Sequence, residues 1–419
     1  MINTFIRDKI YFYSFIILAF VVPLYDKLVP PVIMVIGLTW ILEFNFKEKI
    51  QRVRRSRKRK NILAFGILYL LYVLGTSYSS VIHGQEGALF DLEVKMSLLI
   101  FPLLFSTIDF SKLREDFAEN ILDAFVGGSF LNLLFLLAHL IYRFFYLGEP
   151  STVFFYTGLT VFFHPSYLAI FYAFSIGILV IRLISSTGST KLQRYLTLFL
   201  IFLFQIFIVL LSSKAGILGM AVVYIVITVY LIVKKSFEIR ILFLVPLFLL
   251  ATFVITLFMF PQSYGRFTTV KSSLEHEETI STNTHESSAA RVLVWKSALE
   301  IIKKNPVIGV GTGDVKQELM KVYKENGIEM ALEEHLNAHN QYVQTAIALG
   351  ITGLLILISY FVLPSVYAYK NDNLLYLIFL ALAGFHLLFE SMLERQAGVV
   401  FYAFLNSFLF YFTVEKRQK

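Results

Sequence analysis

The chain has no cysteine and few charged residues. Only 16% of its 419 residues are Asp, Glu, Lys or Arg, against about 25% in a typical soluble domain. The absence of cysteine excludes disulfides, thiolate metal sites and a cysteine nucleophile. Hydrophobic residues make up 57% of the chain and aromatic residues 16%. They recur in apolar runs of about 20 residues, which is typical of polytopic helical membrane proteins.

The apolar runs predict an all-α membrane protein with twelve spanning helices. The spans are expected near residues 10–25, 28–44, 61–81, 93–107, 118–141, 166–184, 195–211, 215–233, 241–260, 341–363, 374–390 and 397–412. We therefore divide the chain into 1–260 with nine spans, an outer loop over 261–340, and 341–419 with three spans. No cleavable signal peptide is expected, because the first apolar run leads directly into a second span.

A basic segment between the second and third predicted spans indicates the orientation. Residues 47–60 contain nine Lys and Arg residues, and such short basic loops remain in the cytoplasm. An even number of spans then places both termini in the cytoplasm and residues 261–340 outside. The net charge of +8 is explained by this topology, so no nucleic-acid partner is expected. The alternative is that the basic segment binds anionic lipid or RNA.

The outer loop over 261–340 is predicted to contain three helices. The first covers 289–304, the second runs from a cap at Asp314 to about residue 326, and the third covers 329–337. In the first helix, four apolar residues recur at helical spacing and give it an apolar face: Val292, Trp295, Leu299 and Ile302. Gly309-x-Gly-x-Gly313 is interpreted as a structural turn, because no Rossmann strand precedes it.

His339 is the first candidate for chemistry, at the outer start of the tenth predicted span. Imidazole titrates near neutral pH and is able to take a proton from an attacking sugar hydroxyl. The alternative is an interfacial histidine that only caps the helix. His335 would share a helical face with His339 and could bind zinc with it, but the sequence fixes no third ligand. We therefore expect neither a metal nor another cofactor.

Basic residues on the outer side are candidates for an anion site. Arginine and lysine together suit a pyrophosphate, since the arginine fork matches phosphate oxygens. The expected clamp consists of Arg291, Lys214, Arg266 and Arg395, with interfacial snorkelling as the alternative. Further candidate site residues are Asn340, His164, Glu390 and Glu394. Of these, Glu390 and Glu394 with Arg395 suggest either a buried ion network or a sugar site.

Several short segments resemble one bacterial superfamily. They are LSSKAG at 211–216, ARVLVW at 290–295, NPVIGVG at 305–311, and AHNQY at 338–342 followed by Gly350-x-x-Gly353. Together they resemble the O-antigen ligase and polymerase superfamily over roughly residues 150–400. Histidine-asparagine, nine residues and then Gly-x-x-Gly is the most specific of these motifs, and it resembles the ligase signature. Many relatives carry arginine where this chain has Lys214.

The resemblance implies a membrane glycosyltransferase of glycosyltransferase-C type at the outer face of the bacterial inner membrane. Such an enzyme transfers a glycan from undecaprenyl pyrophosphate to lipid A-core, with inversion and without a metal. It implies His339 as the base or the acceptor-orienting residue, and the outer basic residues as the pyrophosphate clamp. The alternatives are a repeat-unit polymerase and a protein O-oligosaccharyltransferase. A polysaccharide transporter or flippase is the alternative that is not an enzyme.

Overall fold

The computed structural model describes residues 4–84, 87–185, 190–234, 239–259 and 287–414, and within them the chain is helical with no β-strand. The helices are α1 (Thr4–Val21), α2 (Val29–Leu42), α3 (Phe46–Arg55), α4 (Arg57–Ala64), α5 (Ile67–Thr76), α6 (Ala88–Lys95), α7 (Ser97–Thr107), α8 (Phe117–Ile141), α9 (Pro165–Ser185), α10 (Lys191–Leu210), α11 (Lys214–Lys234), α12 (Ile239–Met259), α13 (Ser287–Lys304), α14 (Val315–Glu325), α15 (Glu329–Glu333), α16 (Gln341–Lys370), α17 (Leu374–His386) and α18 (Gln396–Phe412).

Each predicted apolar run corresponds to one helix or to two consecutive helices, which confirms the all-α class. Five helices of the described chain are long and apolar enough to cross a membrane: Phe117–Tyr146, Pro165–Ser185, Lys191–Leu210, Lys214–Lys234 and Gln341–Lys370. The pair Asp26–Leu42 and Phe46–Arg55, bent by 99°, is a sixth candidate. Since α17 and α18 are apolar but shorter, the count of twelve spans and the division into three segments stay predictions.

The basic segment 47–60 is not a bare loop but forms α3 and α4 against the bundle. Lys49 is 1% exposed and pairs with Glu43 at 2.8 Å. Arg59 donates hydrogen bonds of 2.8 Å to the carbonyls of Ser106 and Ile108 at the end of α7. Cations at a helix C-terminus stabilise the carbonyls left without helical partners. These contacts tie part of the positive charge to the fold.

The orientation predicts a labelling pattern, which is accessible because the chain has no cysteine of its own. Arg57 and Lys304 are both exposed, and a cysteine at either position is expected to leave the fold unchanged. In spheroplasts, a membrane-impermeant maleimide should label Lys304→Cys at once and Arg57→Cys only after the membrane is permeabilised. Labelling of Arg57→Cys in sealed spheroplasts would reverse the orientation.

Helix α13 forms as predicted, and Trp295 and Ile302 of its predicted apolar face pack partly buried against the core, but its most deeply buried residues are others. Val294, Ala298 and Ile301 are 2% exposed or less, whereas Leu299 is 50% exposed. Apolar residues lie on nearly every side of this helix, so helical spacing alone does not select a face. The small side chain of Ala298 lies on the buried side, where α13 packs against α14 and α16.

The remainder of the outer loop departs from the prediction in two details. Helix α14 follows Asp314, but this side chain does not cap it. Its carboxylate accepts hydrogen bonds of 2.8–2.9 Å from the backbone N–H groups of Ser80 and Val81. The predicted third helix ends at Glu333 instead of residue 337. An irregular segment, 334–340, therefore leads into α16 and carries His339.

The glycine-rich turn is structural, as the sequence indicates. Gly309 and Gly311 have φ angles of +72° and +101°, a region that suits glycine. The N–H groups of Val310 and Gly311 donate to the carbonyls of Ile347 and Ala348 at 2.9 and 3.0 Å. These two N–H groups are therefore committed to α16.

Gly350 interrupts α16 where it meets this turn, with φ +63° and ψ −159°. A Cβ atom there would lie 2.3 Å from the backbone carbonyl of Val307. We therefore expect Gly350→Ala to lower the stability by about 1–3 kcal/mol, the cost of a strained backbone conformation, measured by thermal unfolding of the detergent-purified protein. Gly37→Ala in α2, where a Cβ atom would meet nothing within 4 Å, is the matched control. Equal melting temperatures for both variants would contradict the packing of the turn on α16.

Candidate functional site around Glu390

A buried carboxylate joins three separate parts of the chain. Glu390 lies in the connection between α17 and α18 and is 8% exposed. Ser166, on α9, donates a hydrogen bond of 3.0 Å to Oε1 of Glu390. Nη2 of Arg291, on α13, lies 3.5 Å from the same oxygen. Nδ1 of His339, before α16, lies 3.6 Å from Oε2. The structure thus brings three predicted site residues together.

The charge of Glu390 is set by these neighbours. Burial alone would raise the pKa of this carboxyl, but the imidazole of His339 and the charges of Arg291 and His164 outweigh burial and lower the pKa to about 2. The ionised form stabilises the fold above the ordinary carboxyl pKa of 4.5, and this contribution is lost only as the pH falls towards about 2. Glu390 is therefore an anion throughout the neutral range.

His339 is held in an unfavourable backbone conformation, with φ +44°. Its N–H group donates to Oδ1 of Asn337 at 2.9 Å, and the indole N–H of Trp295 donates to the carbonyl of Ala338 at 2.8 Å. Such strain is often found at functional sites. Nδ1 is buried without a hydrogen-bond partner and faces Glu390, so Nε2 points away from the carboxylate.

Asn340, not His339, caps α16. Its side-chain oxygen accepts a hydrogen bond of 3.2 Å from the N–H group of Val343. This contact satisfies a backbone donor at the helix start, as an N-cap does. The alternative in which His339 serves only as the cap therefore has no support in this geometry. The catalytic role of His339 stays a prediction.

Lys214 and Arg291 line one small cavity together with Glu390, Ser166 and Tyr156. Lys214 is the first residue of α11, and Ser213 accepts a hydrogen bond of 3.2 Å from the N–H group of Gly216 as the cap of that helix. Two cations beside a helix N-terminus suit an anion. The cavity holds about 20 Å³, space for about one water molecule, so a larger group requires the side chains to move.

Glu394 and Arg395 lie on a different side of the connection. Lys95 is completely buried and donates a hydrogen bond of 2.6 Å to Glu394, while Gln341 donates one of 3.0 Å to the other oxygen. Arg395 is exposed and lines a separate cavity with Glu394. The structure therefore does not place Arg395 in the cavity of Lys214 and Arg291, and Glu394 belongs to an ion network.

The remaining candidates are distributed as follows. Nδ1 of His164 accepts a hydrogen bond of 3.4 Å from the N–H group of Ser166, and its ring stands against Tyr156. His335 lines the separate cavity of Arg395. Within the described ranges, no group of three or more His, Asp or Glu side chains is arranged to hold a metal ion. The predicted clamp residue Arg266 lies outside the described residues.

Two residues of this region were not predicted from the sequence. Lys95 lies within the predicted span 93–107, and an ionisable residue at such a position is a functional candidate by default. Ser166 directly follows the segment His164-Pro165, but no motif distinguishes it from other serines. Its contact with Glu390 depends on the packing of α9 against the connection before α18, which sequence spacing does not reveal.

Comparison with known proteins supports the same superfamily. Residues 196–358 match a family described as O-Antigen ligase. This match contains Lys214, Arg291 and His339 and supports the resemblance indicated by the motifs. Together with the apolar helices, it supports a multi-pass membrane glycosyltransferase of the ligase and polymerase type. An uncharacterized protein of Haemophilus influenzae is 27% identical over 130 residues, which cover 29% of this chain and 33% of that protein. The chain thus matches about a third of the length of this curated relative.

Proposed function

We propose that the protein is an O-antigen ligase that transfers a glycan from undecaprenyl pyrophosphate to lipid A-core at the periplasmic face of the inner membrane. One observation carries this proposal: Glu390 contacts both the imidazole of His339 and the guanidinium of Arg291. The buried carboxylate of Glu390 thus contacts both the residue expected to act as the base and a cation expected to stabilise the leaving group.

In the proposed reaction, the acceptor hydroxyl oxygen attacks the anomeric carbon of the donor glycan. A glycosidic bond forms, the bond from the anomeric carbon to the pyrophosphate oxygen breaks, and the configuration inverts. Nε2 of His339 takes the hydroxyl proton. Glu390 orients the ring from Nδ1 and stabilises the imidazolium that forms, as the carboxylate of a Ser-His-Asp triad does.

The leaving pyrophosphate is stabilised by Lys214 and Arg291. Preorganised cations aimed at developing charge lower the barrier in a site that excludes water. A cavity of about 550 Å³ adjoins the small one, since Tyr156 lines both and Ser212 lines the larger next to Ser213. The donor headgroup approaches from this side. The long side chains of Lys214 and Arg291 then rotate to contact its phosphate oxygens.

A repeat-unit polymerase and a protein O-oligosaccharyltransferase use the same donor chemistry, so the test varies the acceptor. Purified protein in nanodiscs receives undecaprenyl pyrophosphate-linked glycan and, separately, lipid A-core, a lipid-linked repeat unit or an acceptor peptide, with excess EDTA in parallel. Transfer to lipid A-core that persists in EDTA supports the metal-independent ligase. Transfer only to one of the other acceptors identifies the corresponding alternative. No transfer to any of the three, with lipid-linked glycan moved across the bilayer when the protein is placed in proteoliposomes, identifies a flippase.

A further inference from the structure

A cavity of about 630 Å³ lies beside the candidate site around Glu390. Its volume is within the range of about 300–1,000 Å³ that small-molecule sites occupy. We name it the acidic cavity, because its walls include four carboxylates: Asp26, Asp91, Glu93 and Glu394. We propose that the acidic cavity binds the acceptor sugars and selects sugars without negative charge. This inference rests on the proposed transfer reaction and adds the substrate chemistry of its acceptor side.

The lining of the acidic cavity suits sugar hydroxyl groups. Carboxylate and amide oxygens accept hydrogen bonds from hydroxyl donors, and the amides on its walls are those of Asn337, Gln344 and Gln396. The exposed ring of Phe90 adds an apolar surface. A site with a few polar groups around apolar surface fixes the orientation of a ligand of this kind.

The charge of the acidic cavity opposes an anion. Its lining cations are Lys316 and Arg395. Lys95 lies beneath the wall, where its ammonium group pairs with Glu394 at 2.6 Å and with Asp91 at 3.3 Å. Even with Lys95 counted, the carboxylates outnumber these cations. A phosphate or carboxylate on the ligand therefore meets net repulsion.

The small cavity at Glu390 has the opposite character. Two cations, Lys214 and Arg291, and the N-terminus of α11 face one carboxylate there. The two cavities thus suit reactants of different charge. The small cavity suits the pyrophosphate, and the acidic cavity suits the hydroxyl-bearing sugar.

A short segment connects the two cavities. His335 and Asn337 line the acidic cavity, and Asn337 accepts the hydrogen bond from the N–H group of His339. Gln344 also lines it and accepts a hydrogen bond of 3.1 Å from the N–H group of Ala338. A sugar bound in the acidic cavity therefore lies next to the residue that we propose as the base.

The test compares two probes that differ in charge at one sugar. One is a neutral hexose trisaccharide, and the other is the same trisaccharide with a uronic acid as its terminal sugar. Binding of both forms to the full-length protein in nanodiscs is measured by titration. We expect the neutral form to bind roughly fivefold more tightly, a factor typical of one like-charge contact near a protein surface. Equal affinities, tighter binding of the uronic acid form or no binding of either form would overturn the proposal.

Two variants test whether this selectivity comes from the carboxylates of the acidic cavity. Glu93→Gln and Asp26→Asn each remove one negative charge and are expected to narrow the difference between the probes by roughly twofold to fivefold. Glu325→Gln makes the same change at an exposed position of α14 outside the cavity and should leave the difference unchanged. If the double variant Asp26→Asn/Glu93→Gln discriminates between the two probes as the wild type does, the acceptor binds elsewhere.

The binding titration does not depend on turnover. If the wild type transfers no glycan in the reconstituted assay but still discriminates between the probes, the proposed function fails and the acidic cavity remains a sugar site. If transfer occurs while the probes bind equally, the function stands and the inference about the acidic cavity is wrong.

Discussion

His339→Ala is expected to lower transfer about 10²–10⁴-fold, the contribution of a positioned general base. In the proposed reaction the acceptor is a sugar hydroxyl, a poor nucleophile at neutral pH, so loss of the proton acceptor slows the chemical step. Binding of the donor should persist, because we propose that other residues hold its pyrophosphate and lipid tail. The measurement is the single-turnover rate with purified lipid-linked glycan, together with the donor dissociation constant.

The matched control for this variant is His83→Ala, an exposed histidine that lines neither the small cavity nor the acidic cavity. It should retain the wild-type rate. Near-wild-type transfer by His339→Ala would exclude His339 as the base. Loss of wild-type transfer in EDTA would instead reopen the reading of His335 and His339 as zinc ligands.

The variant Glu390→Gln tests whether this carboxylate orients the proposed base. Neighbouring charges lower the pKa of Glu390 to about 2, so its own titration does not affect transfer at neutral pH. The variant removes the carboxylate that faces Nδ1 of His339, so we expect kcat to fall while the donor dissociation constant stays unchanged. An unchanged kcat would separate Glu390 from the base.

The sequence predicted the helices well because twenty-residue apolar runs have few alternatives in a membrane. It did not predict which residues of α13 are most deeply buried, since Val292 and Leu299 are as apolar as Val294 and Ile301. Local spacing distinguishes helical faces only where polar residues alternate with apolar ones. Here the tertiary contacts with α14 and α16 decide which face is buried.

The candidate site was predicted residue by residue but not as an arrangement. Glu390 and His339 are distant in sequence, and their contact depends on how the connection after α17 meets the start of α16. Likewise, the motif segments 305–311 and 350–353 are neighbours because the N–H group of Ile351 donates to the carbonyl of Pro306 at 2.9 Å. Motifs identified these residues as candidates, and only the packing shows that Arg395 belongs to a different cavity from Arg291.

Arg291→Ala is expected to cost about 2–4 kcal/mol of transition-state stabilisation, as the loss of one preorganised donor to a developing anion does. This corresponds to a decrease in kcat of about 10²–10³-fold. Lys214→Ala should act similarly, whereas Lys214→Arg should be tolerated if the cavity accommodates the fork. Lys303→Ala, an exposed cation on the same helix α13, is the matched control and should transfer normally.

Loss of Arg291 also removes a partner of the buried Glu390, so a second variant separates the two effects. Arg291→Ala is therefore also made in Glu390→Gln, where the carboxylate is already absent and Lys214 is the charge that remains of the three in the small cavity. If Arg291→Ala acts through an uncompensated carboxylate, it should have little further effect on stability or kcat in this background. If Arg291 stabilises the leaving pyrophosphate, Arg291→Ala should again lower kcat about 10²–10³-fold relative to Glu390→Gln. Unchanged transfer in Arg291→Ala would move the clamp to Arg266 or Arg395, and of these Arg395 already faces the acidic cavity.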